Sequence, residues 1–246
     1  MPEMSMTVYY ILSGVCVALV LLGINLMSKV KLAVLGNALS ALSMVMAMAI
    51  IVFKAQLWPE GSNLPLYGVL LFAGIFGIYM ARKIKMIAMP QTIALLNGLG
   101  GAASALVAAT TAILGATGEY PVFETATAGV ALAVGALTLT GRLIAAGKLA
   151  RILDARPKTL KGHTAILLLL ALAFVAGIVM QTLTESGVWA ILTAVASLLA
   201  GVVFVMRVGG ADMPITISLL NSLSGVAGGI AGMAIGDPLL TSSFSD

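Results

Sequence analysis

Long apolar runs, separated by short polar or charged breaks, make up most of the 246-residue chain. Each run is close to the roughly 20 residues that a helix needs to cross a bilayer. The runs are continuous and do not alternate as the strands of a membrane barrel do. The pattern predicts an all-α protein, a single transmembrane domain over residues 1–246 with eight spans. These lie near 7–28, 32–53, 64–81, 90–115, 122–146, 164–184, 187–206 and 214–235.

The composition agrees with a multi-pass membrane protein. Hydrophobic residues make up 61% of the chain and charged residues only 9%, whereas about a quarter of a soluble domain is charged. The single cysteine, Cys16, excludes an internal disulfide. No CxxC motif or His/Cys cluster occurs, so no metal site is expected. The lipid bilayer is the expected surrounding, and a net charge of +4 gives no reason to expect a nucleic-acid partner.

The charged residues sort to two sides of the eight predicted helices. The connections around the ends of helices one, three, five and seven hold twelve of the thirteen basic residues, and the opposite side holds seven of the nine acids. Because loops rich in Lys and Arg stay cytoplasmic, we expect the basic side to face the cytoplasm or matrix and the N-terminus to lie outside. The basic residues of that side are Lys29, Lys31, Arg82, Lys83, Lys85, Arg142, Lys148, Arg151, Arg156, Lys158, Lys161 and Arg207.

One sequence motif occurs twice. Residues 89–103 read MPQTIALLNGLGGAA and residues 213–227 read MPITISLLNSLSGVA, with ten of fifteen positions identical at an offset of 124. Four crossings separate the copies, so predicted helices four and eight point the same way, as in a parallel repeat. Asn97 and Asn221 each lie eight residues into a helix, roughly 12 Å from its start. That depth is close to the middle of a hydrocarbon layer about 30 Å thick.

Small residues share a predicted helix face with each asparagine. Gly101 and Ser104 follow Asn97 at helical spacing, and Gly225 and Gly228 follow Asn221. Such residues let helices pack closely. The two amides could therefore hold helices together, or they could line a polar pathway for ions or protons, and the residues alone leave both interpretations open.

The search for a titrating group along such a pathway finds little. An amide does not titrate, and no acid, lysine or histidine falls clearly within the core of a predicted span. His163, the only histidine, is expected to be an exposed residue of the cytoplasmic connection. Glu124 is expected to be a solvated acid at the outer end of helix five. If protons cross this bundle, we expect the titrating group to come from another chain.

The connection before helix eight contains Gly209, Gly210 and Asp212. The glycines allow a tight backbone path, and Asp212 is placed to cap helix eight. Contact with a cytoplasmic domain is the alternative role. The glycine pair is not a dinucleotide-binding fingerprint, because no strand precedes it and the GxGxxG spacing is absent.

Three segments closely resemble the membrane part of the proton-translocating NAD(P) transhydrogenase beta subunit. They are GGADMPITISLLNSLSG at 209–225, MPQTIALLNGLGGAASALVAA at 89–109 and LTLTGRLIAAGKL at 137–149. The resemblance covers helices four to eight, whereas helices one to three match mainly in hydropathy and placement. It implies a bacterial plasma (inner) membrane protein that couples hydride transfer from NADH to NADP with proton movement into the cytoplasm or matrix.

The resemblance also implies partners, cofactors and site residues. NAD would bind a soluble domain of the alpha subunit, whose membrane helices join the bundle, and NADP would bind a Rossmann-like domain after the beta membrane segment. The segment itself would bind neither nucleotide and hold no catalytic residue, and the complex would be a dimer of such units. Asn97 and Asn221 would line the proton path. Gly209, Gly210 and Asp212 would meet the NADP domain.

Three departures from the family pattern accompany this resemblance. Many relatives carry histidine where Asn97 stands, and some place a histidine on an alpha-subunit helix instead. Relatives also have a ninth helix before the NADP domain, so the eight-span topology leads us to expect an incomplete chain. Arg142 stands where relatives usually show a small residue, and no role is carried over to it.

Two other functions fit the residues without the resemblance. The chain could be a secondary transporter with a parallel internal repeat that binds a polar solute through the paired asparagines. It could also be a structural membrane subunit whose asparagines only pack helices. A ninth apolar run and a strand–glycine-loop–helix pattern downstream of residue 246 would favour the transhydrogenase.

Overall fold

A computed structural model describes residues 4–59, 61–115 and 121–234, with the backbone alone for 233 and 234. These residues form eight α-helices and three short 3-10 turns, and no strand occurs among them. All eight helices are long and apolar enough to cross a membrane, so the predicted all-α fold with eight spans is confirmed. They are α1 (Met6–Met27), α2 (Ala33–Lys54), α3 (Leu64–Lys83), α4 (Met89–Leu114), α5 (Pro121–Leu149), α6 (His163–Thr184), α7 (Gly187–Met206) and α8 (Met213–Ala234).

The helix α5 is longer than the apolar run suggested. The run predicted residues 122–146, whereas the helix continues through Leu149. Lys148 is therefore a residue of α5, as Arg142 is, and both are buried. Counting them with the basic connection was wrong, because the charge pattern alone cannot distinguish a loop residue from a buried residue in the last turns of a helix.

The chain divides into two compact units, residues 1–84 and 85–246. In the first unit, α1 and α2 pack closely through glycines. A Cβ atom on Gly36 would lie 2.5 Å from the carbonyl oxygen of Gly23. The Ser43 hydroxyl donates a hydrogen bond of 2.7 Å to the carbonyl of Cys16. The helix α3 has no buried residue among those described.

In the second unit α5 lies at the centre and contacts α4, α6, α7 and α8. Its buried surface consists largely of small residues, which allow neighbouring backbones to approach. A Cβ atom on Gly135 would lie 2.7 Å from the carbonyl oxygen of Gly101 on α4. These small buried residues include Ala128, Gly129, Ala131, Ala133, Gly135, Ala136 and Gly141.

Polar side chains add hydrogen bonds between helices of the second unit. Thr140 on α5 donates from Oγ1 to the carbonyl of Leu198 on α7 at 2.8 Å. Gln181 on α6, fully buried, donates from Nε2 to the carbonyl of Ala112 on α4 at 2.9 Å. Such bonds contribute about 0.6–2 kcal/mol each in membrane bundles, so close packing and hydrogen bonds together hold these helices around α5.

Candidate functional site

The two copies of the repeat fold in the same way. A 3-10 turn precedes each helix, Met86–Ala88 before α4 and Gly210–Asp212 before α8. In each copy the threonine of the motif bonds back to the last residue of that turn. Thr92 Oγ1 donates to the Ala88 carbonyl at 2.9 Å, and Thr216 Oγ1 donates to the Asp212 carbonyl at 3.2 Å. The repeat is therefore a repeated local structure as well as a repeated sequence.

The asparagines of the two copies contact each other. Asn97 Nδ2 donates to Asn221 Oδ1 at 3.1 Å. Asn97 is half-buried, whereas Asn221 is exposed in the chain. Each lies eight residues from the start of its helix, so the contact is about 12 Å along both helices. The sequence placed the two amides at one depth, and the fold brings them into direct contact.

Arg142 joins this pair from α5. Its Nη2 atom donates to the same oxygen, Asn221 Oδ1, at 3.1 Å. It lies seven residues before the end of α5, and its side chain is fully buried. Gly98 on α4 provides the space, because a Cβ atom there would lie 3.2 Å from Arg142 Cβ. We call Asn97, Arg142 and Asn221 the amide–guanidinium cluster.

Sequence reasoning assigned no role to Arg142, although a signal was available. The residue is an arginine inside the predicted apolar run 122–146. The search for a proton carrier considered titrating groups, and a guanidinium does not titrate in proteins. A buried charge in a membrane helix is nevertheless a functional candidate by itself.

The hydrogen-bond chemistry of arginine fixes how both amides point. A guanidinium has donors and no acceptor, so the atom of Asn221 that faces Arg142 must be the oxygen. That oxygen also contacts Asn97, so Asn97 must present its amino group there. The Nδ2 group of Asn221 and the Oδ1 atom of Asn97 remain without a hydrogen-bond partner among the described residues.

The small residues predicted to flank the asparagines differ in burial. On α4, Gly101 is buried against α5, and Ser104 is half-buried and donates to the Gly100 carbonyl of its own helix at 3.2 Å. On α8, Gly225 is half-buried and Gly228 is buried. Asn221 therefore lies at the border between the buried and the exposed side of α8, rather than in the middle of a packed face.

The connection before α8 packs against the connection between α5 and α6. The Gly210 amide donates to the Ala155 carbonyl at 3.0 Å, and the Lys158 amide donates to the Met206 carbonyl at 2.9 Å. Asp212 is exposed, and its carboxylate makes no hydrogen bond with any described residue. The expected side-chain cap of α8 by Asp212 is therefore not observed in the described part of the chain.

Lys148 joins the end of α5 to the end of α7. Its ammonium group donates to three carbonyls at the end of α7, Val205 at 3.1 Å, Met206 at 2.9 Å and Val208 at 2.7 Å. An ammonium has three donors, so the group is fully satisfied. Its positive charge at the carboxyl end of α7 also complements the helix dipole.

A family model of the NAD(P) transhydrogenase beta subunit matches residues 6–243. The chain belongs to that family. Two proteins named NAD(P) transhydrogenase subunit beta, one from Rhodospirillum rubrum and one from its strain ATCC 11170, are each 31% identical to it over 242 residues. The alignment covers 94% of this chain and 50% of each relative. The chain thus spans about half the length of these curated relatives.

The family assignment confirms the resemblance found in helices four to eight and extends it to α1–α3. The eight apolar helices are consistent with the membrane part of a beta subunit and identify a polytopic membrane protein. In this beta-subunit chain Gly209 and Gly210 follow the helix α7 and lead into a 3-10 turn. A dinucleotide-binding loop instead follows a strand, so these glycines do not fit a nucleotide site.

His163 occupies a different environment from the one expected. It is the first residue of α6 and is buried, with 7% of its surface exposed. Its Nδ1 atom accepts a hydrogen bond of 3.5 Å from the Leu160 amide. The prediction of an exposed loop histidine is wrong, because the residue begins α6 and its side chain is buried in the folded chain. Glu124 lies in the first turn of α5, as expected, and is half-buried.

Proposed function

We propose that this chain is the proton-conducting membrane part of an NAD(P) transhydrogenase, which couples proton translocation to hydride transfer from NADH to NADP. The amide–guanidinium cluster carries this proposal. Asn97 and Asn221 come from parallel copies of one motif and meet near the middle of the membrane helices. Polar side chains at that depth are costly and mark transport pathways. Membership of the beta-subunit family indicates the reaction to which proton movement past the cluster would be coupled, namely hydride transfer from NADH to NADP.

In this mechanism the two amides orient the groups that carry the proton. The Asn221 amino group offers a donor, and the Asn97 oxygen offers an acceptor. Water molecules or a titrating side chain can bind between such groups in a fixed orientation. Neither amide takes up a proton itself, so the titrating group is supplied by a membrane helix of the alpha subunit.

Gly209, Gly210 and Asp212 are proposed to couple the membrane helices to an NADP-binding domain. Two features support this role. The connection leads directly into α8, eight residues before Asn221, and it is fixed to the neighbouring connection by the Gly210–Ala155 hydrogen bond. Exposed Asp212 offers a charged contact next to this rigid backbone. Movement of a domain bound here would be transmitted along α8 to the cluster.

The complete enzyme is proposed to bind NAD on the alpha subunit and NADP on a domain of the beta subunit outside this segment. The segment itself supplies no nucleotide site and no catalytic residue for hydride transfer. The proposed assembly is a dimer of protomers in a bacterial inner membrane, with the connections rich in Lys and Arg in the cytoplasm.

The replacement Asn221→Ala tests the proposal. The complete beta subunit and its alpha partner are reconstituted in vesicles, and proton uptake is measured during NADH-driven reduction of NADP. We expect Asn221→Ala to reduce coupled proton transport by roughly ten-fold, because losing hydrogen bonds worth about 1.4 kcal/mol changes a rate by that factor. Ser222→Ala is the matched control, since Ser222 is exposed and bonds only to the Ser218 carbonyl of its own helix.

Three outcomes would count against the proposal or against the role of Asn221 in it. Coupled transport at the parent rate in Asn221→Ala would remove the cluster from the pathway and leave the amides as helix-packing groups. Absence of proton uptake in the parent complex during nucleotide turnover would overturn the function as a whole. Equal losses in Asn221→Ala and Ser222→Ala would show a general disturbance of α8.

A further inference from the structure

The Arg142 guanidinium is a buried charge without a counter-charge in the described part of the chain. Its side chain is 0% exposed. The Nε and Nη1 atoms are buried and have no hydrogen-bond partner, and Nη2 has only the neutral oxygen of Asn221. The one ion pair among the described residues joins Lys158 to Asp154. An uncompensated buried charge is strongly unfavourable, so this site calls for a negative group.

No carboxyl group among the described residues is placed to supply that charge. The acids described are Glu124, Asp154, Glu185 and Asp212, and each lies in a connection or at a helix end. Glu124 is eighteen residues before Arg142 on the same helix, about 27 Å away. A second copy of the chain would bring the same acids in the same places. A negative group beside Arg142 would therefore come from outside the described residues.

The helices around the cluster contain no other group that could titrate against it. The sequences of α4, α7 and α8 contain no Asp, Glu, His, Lys, Arg, Cys or Tyr. On α6 the only such residue is His163, at the first position. On α5 itself, Lys148 lies six residues further on and is satisfied by the carbonyls at the end of α7. Arg142 is thus the one charge at this level of the second unit's described helices.

The amide orientations show where a negative group can bind. Arg142 and Asn97 both donate to Asn221 Oδ1, so Asn221 is left with its amino group, on an exposed part of α8. Asn97 is left with its oxygen. The pair therefore combines a free amino group on Asn221 with a free carbonyl oxygen on Asn97, next to the guanidinium of Arg142. A carboxyl group matches this arrangement in both of its protonation states.

We infer that Asn97 and Asn221 bind a carboxyl side chain from a membrane helix of a partner subunit, and that Arg142 is the positioning residue that keeps this carboxyl ionised. The inference rests on the proposed function and names the titrating group. As a carboxylate, the group accepts a hydrogen bond from Asn221 Nδ2. When one of its oxygens takes a proton from water on one side of the membrane, the new O–H can donate to Asn97 Oδ1. The O–H bond breaks when the proton passes to water on the other side.

A partner imidazole is disfavoured at this site by the same charge argument. Its protonated form would place a second positive charge beside Arg142, whereas a carboxylate and a guanidinium attract each other. The Arg142 charge acts through Asn221, because the amide lies between the guanidinium and the exposed side of α8. Arg142 therefore shifts the protonation equilibrium of the bound carboxyl group without contacting that group directly.

Infrared difference spectroscopy of the complete complex tests this inference. The partner subunit is labelled with ¹³C-aspartate and ¹³C-glutamate, and the C=O band of a protonated carboxyl group is followed against pH. We expect a titrating band that moves with the label in the partner subunit and is insensitive to label in the beta subunit. In Arg142→Gln the titration midpoint should rise by about one pH unit, because an attractive positive charge has been removed.

Two variants serve as controls for the shift. Arg142→Lys keeps a positive charge and should keep the midpoint close to that of the parent. Lys161→Gln removes an exposed charge from the α5–α6 connection and should leave the midpoint unchanged. A structural role of Arg142 would lower the amount of assembled complex without moving the midpoint.

Several results would overturn the inference. They are a band that follows label in the beta subunit, imidazole bands in place of a carboxyl band, or an unchanged midpoint in Arg142→Gln. The labelled band of the parent complex remains decisive if Arg142→Gln does not assemble. The two proposals can fail separately: parent-like proton transport in Asn221→Ala defeats the proposed function, whereas impaired transport in that variant with an unmoved midpoint in Arg142→Gln defeats only this inference.

Discussion

Two basic residues of α5 are both buried, but they differ in how many hydrogen-bond acceptors surround them. Lys148 is 5% exposed, and its ammonium group has three carbonyl acceptors. Arg142 is 0% exposed, and its five donors have one acceptor. A charged group whose donors all have acceptors stabilises the structure, whereas one with unused donors is available for a further interaction. At the scale of single residues, hydrogen-bond partners thus separate a structural cation from a functional one.

Replacing Lys148 by methionine should destabilise the second unit. The side-chain length is nearly preserved, but the three hydrogen bonds to the end of α7 are lost. Hydrogen bonds to a charged group contribute about 1.5–3 kcal/mol, and water near the helix end can partly replace them. We expect the free energy of unfolding to fall by about 1–3 kcal/mol, measured by thermal unfolding in detergent. Lys161→Met, at an exposed position, should unfold like the parent, and equal stability of both variants would contradict the role of Lys148.

At the scale of helices, the contact between α4 and α5 places the cluster. Gly101 and Gly135 let the two backbones approach one turn beyond Asn97 and two turns before Arg142. A wider separation at this point would move Asn97 on α4 away from the helix that carries Arg142. The small residues that sequence reasoning associated with the asparagines therefore matter through the distance between helices.

The adjacent glycines Gly101 and Gly100 provide a matched test of this packing. A Cβ atom on Gly101 would lie 2.5 Å from Thr138 Oγ1 and 3.1 Å from the Gly135 carbonyl oxygen, whereas one on Gly100 would meet nothing within 4 Å. We expect Gly101→Ala to lower the free energy of unfolding by about 1–3 kcal/mol through overpacking. Gly100→Ala should be neutral or slightly stabilising, because alanine is the better helix former. Thermal unfolding of both variants checks the difference, and a stable Gly101→Ala would show that the helices can separate without loss.

At the scale of the whole molecule, charge decides the orientation in the membrane. The α5–α6 connection, which carries four of the eight basic residues of the second unit, is hydrogen-bonded to the connection before α8. Both therefore lie at one end of that unit. Because positively charged connections are retained in the cytoplasm, this end and the site proposed to contact the NADP domain should face the same compartment.

Labelling of single cysteines tests this orientation. The native thiol is first removed as Cys16→Ala, and cysteine is then introduced at Lys31, Ala55, Lys161 or Thr184, all of which are exposed. A membrane-impermeant maleimide applied to intact cells should label positions 55 and 184. It should label positions 31 and 161 only after the cells are opened. The reverse pattern, or labelling of 31 and 184 from the same side, would contradict the topology.

The sequence determined the elements of this protein. Eight helices follow from eight apolar runs, because a backbone in lipid must satisfy its hydrogen bonds within each segment. The repeated motif placed Asn97 and Asn221 at one depth, because two parallel helices that begin alike present the same residue at the same height. The family was recognisable from the same motif. All these properties depend on neighbours along the chain.

The tertiary structure decided which side chains meet. Asn97, Arg142 and Asn221 are separated by 45 and 79 positions, and no spacing rule connects α5 to the repeat. Their contact depends on how closely α4, α5 and α8 pack, which the small residues permit but do not specify. His163 is a second example, because its position before an apolar run indicated a connection and only the folded chain buries its side chain. The depth of the polar groups thus follows from the sequence alone. The packing of the helices determines which groups they contact and the direction in which each amide points.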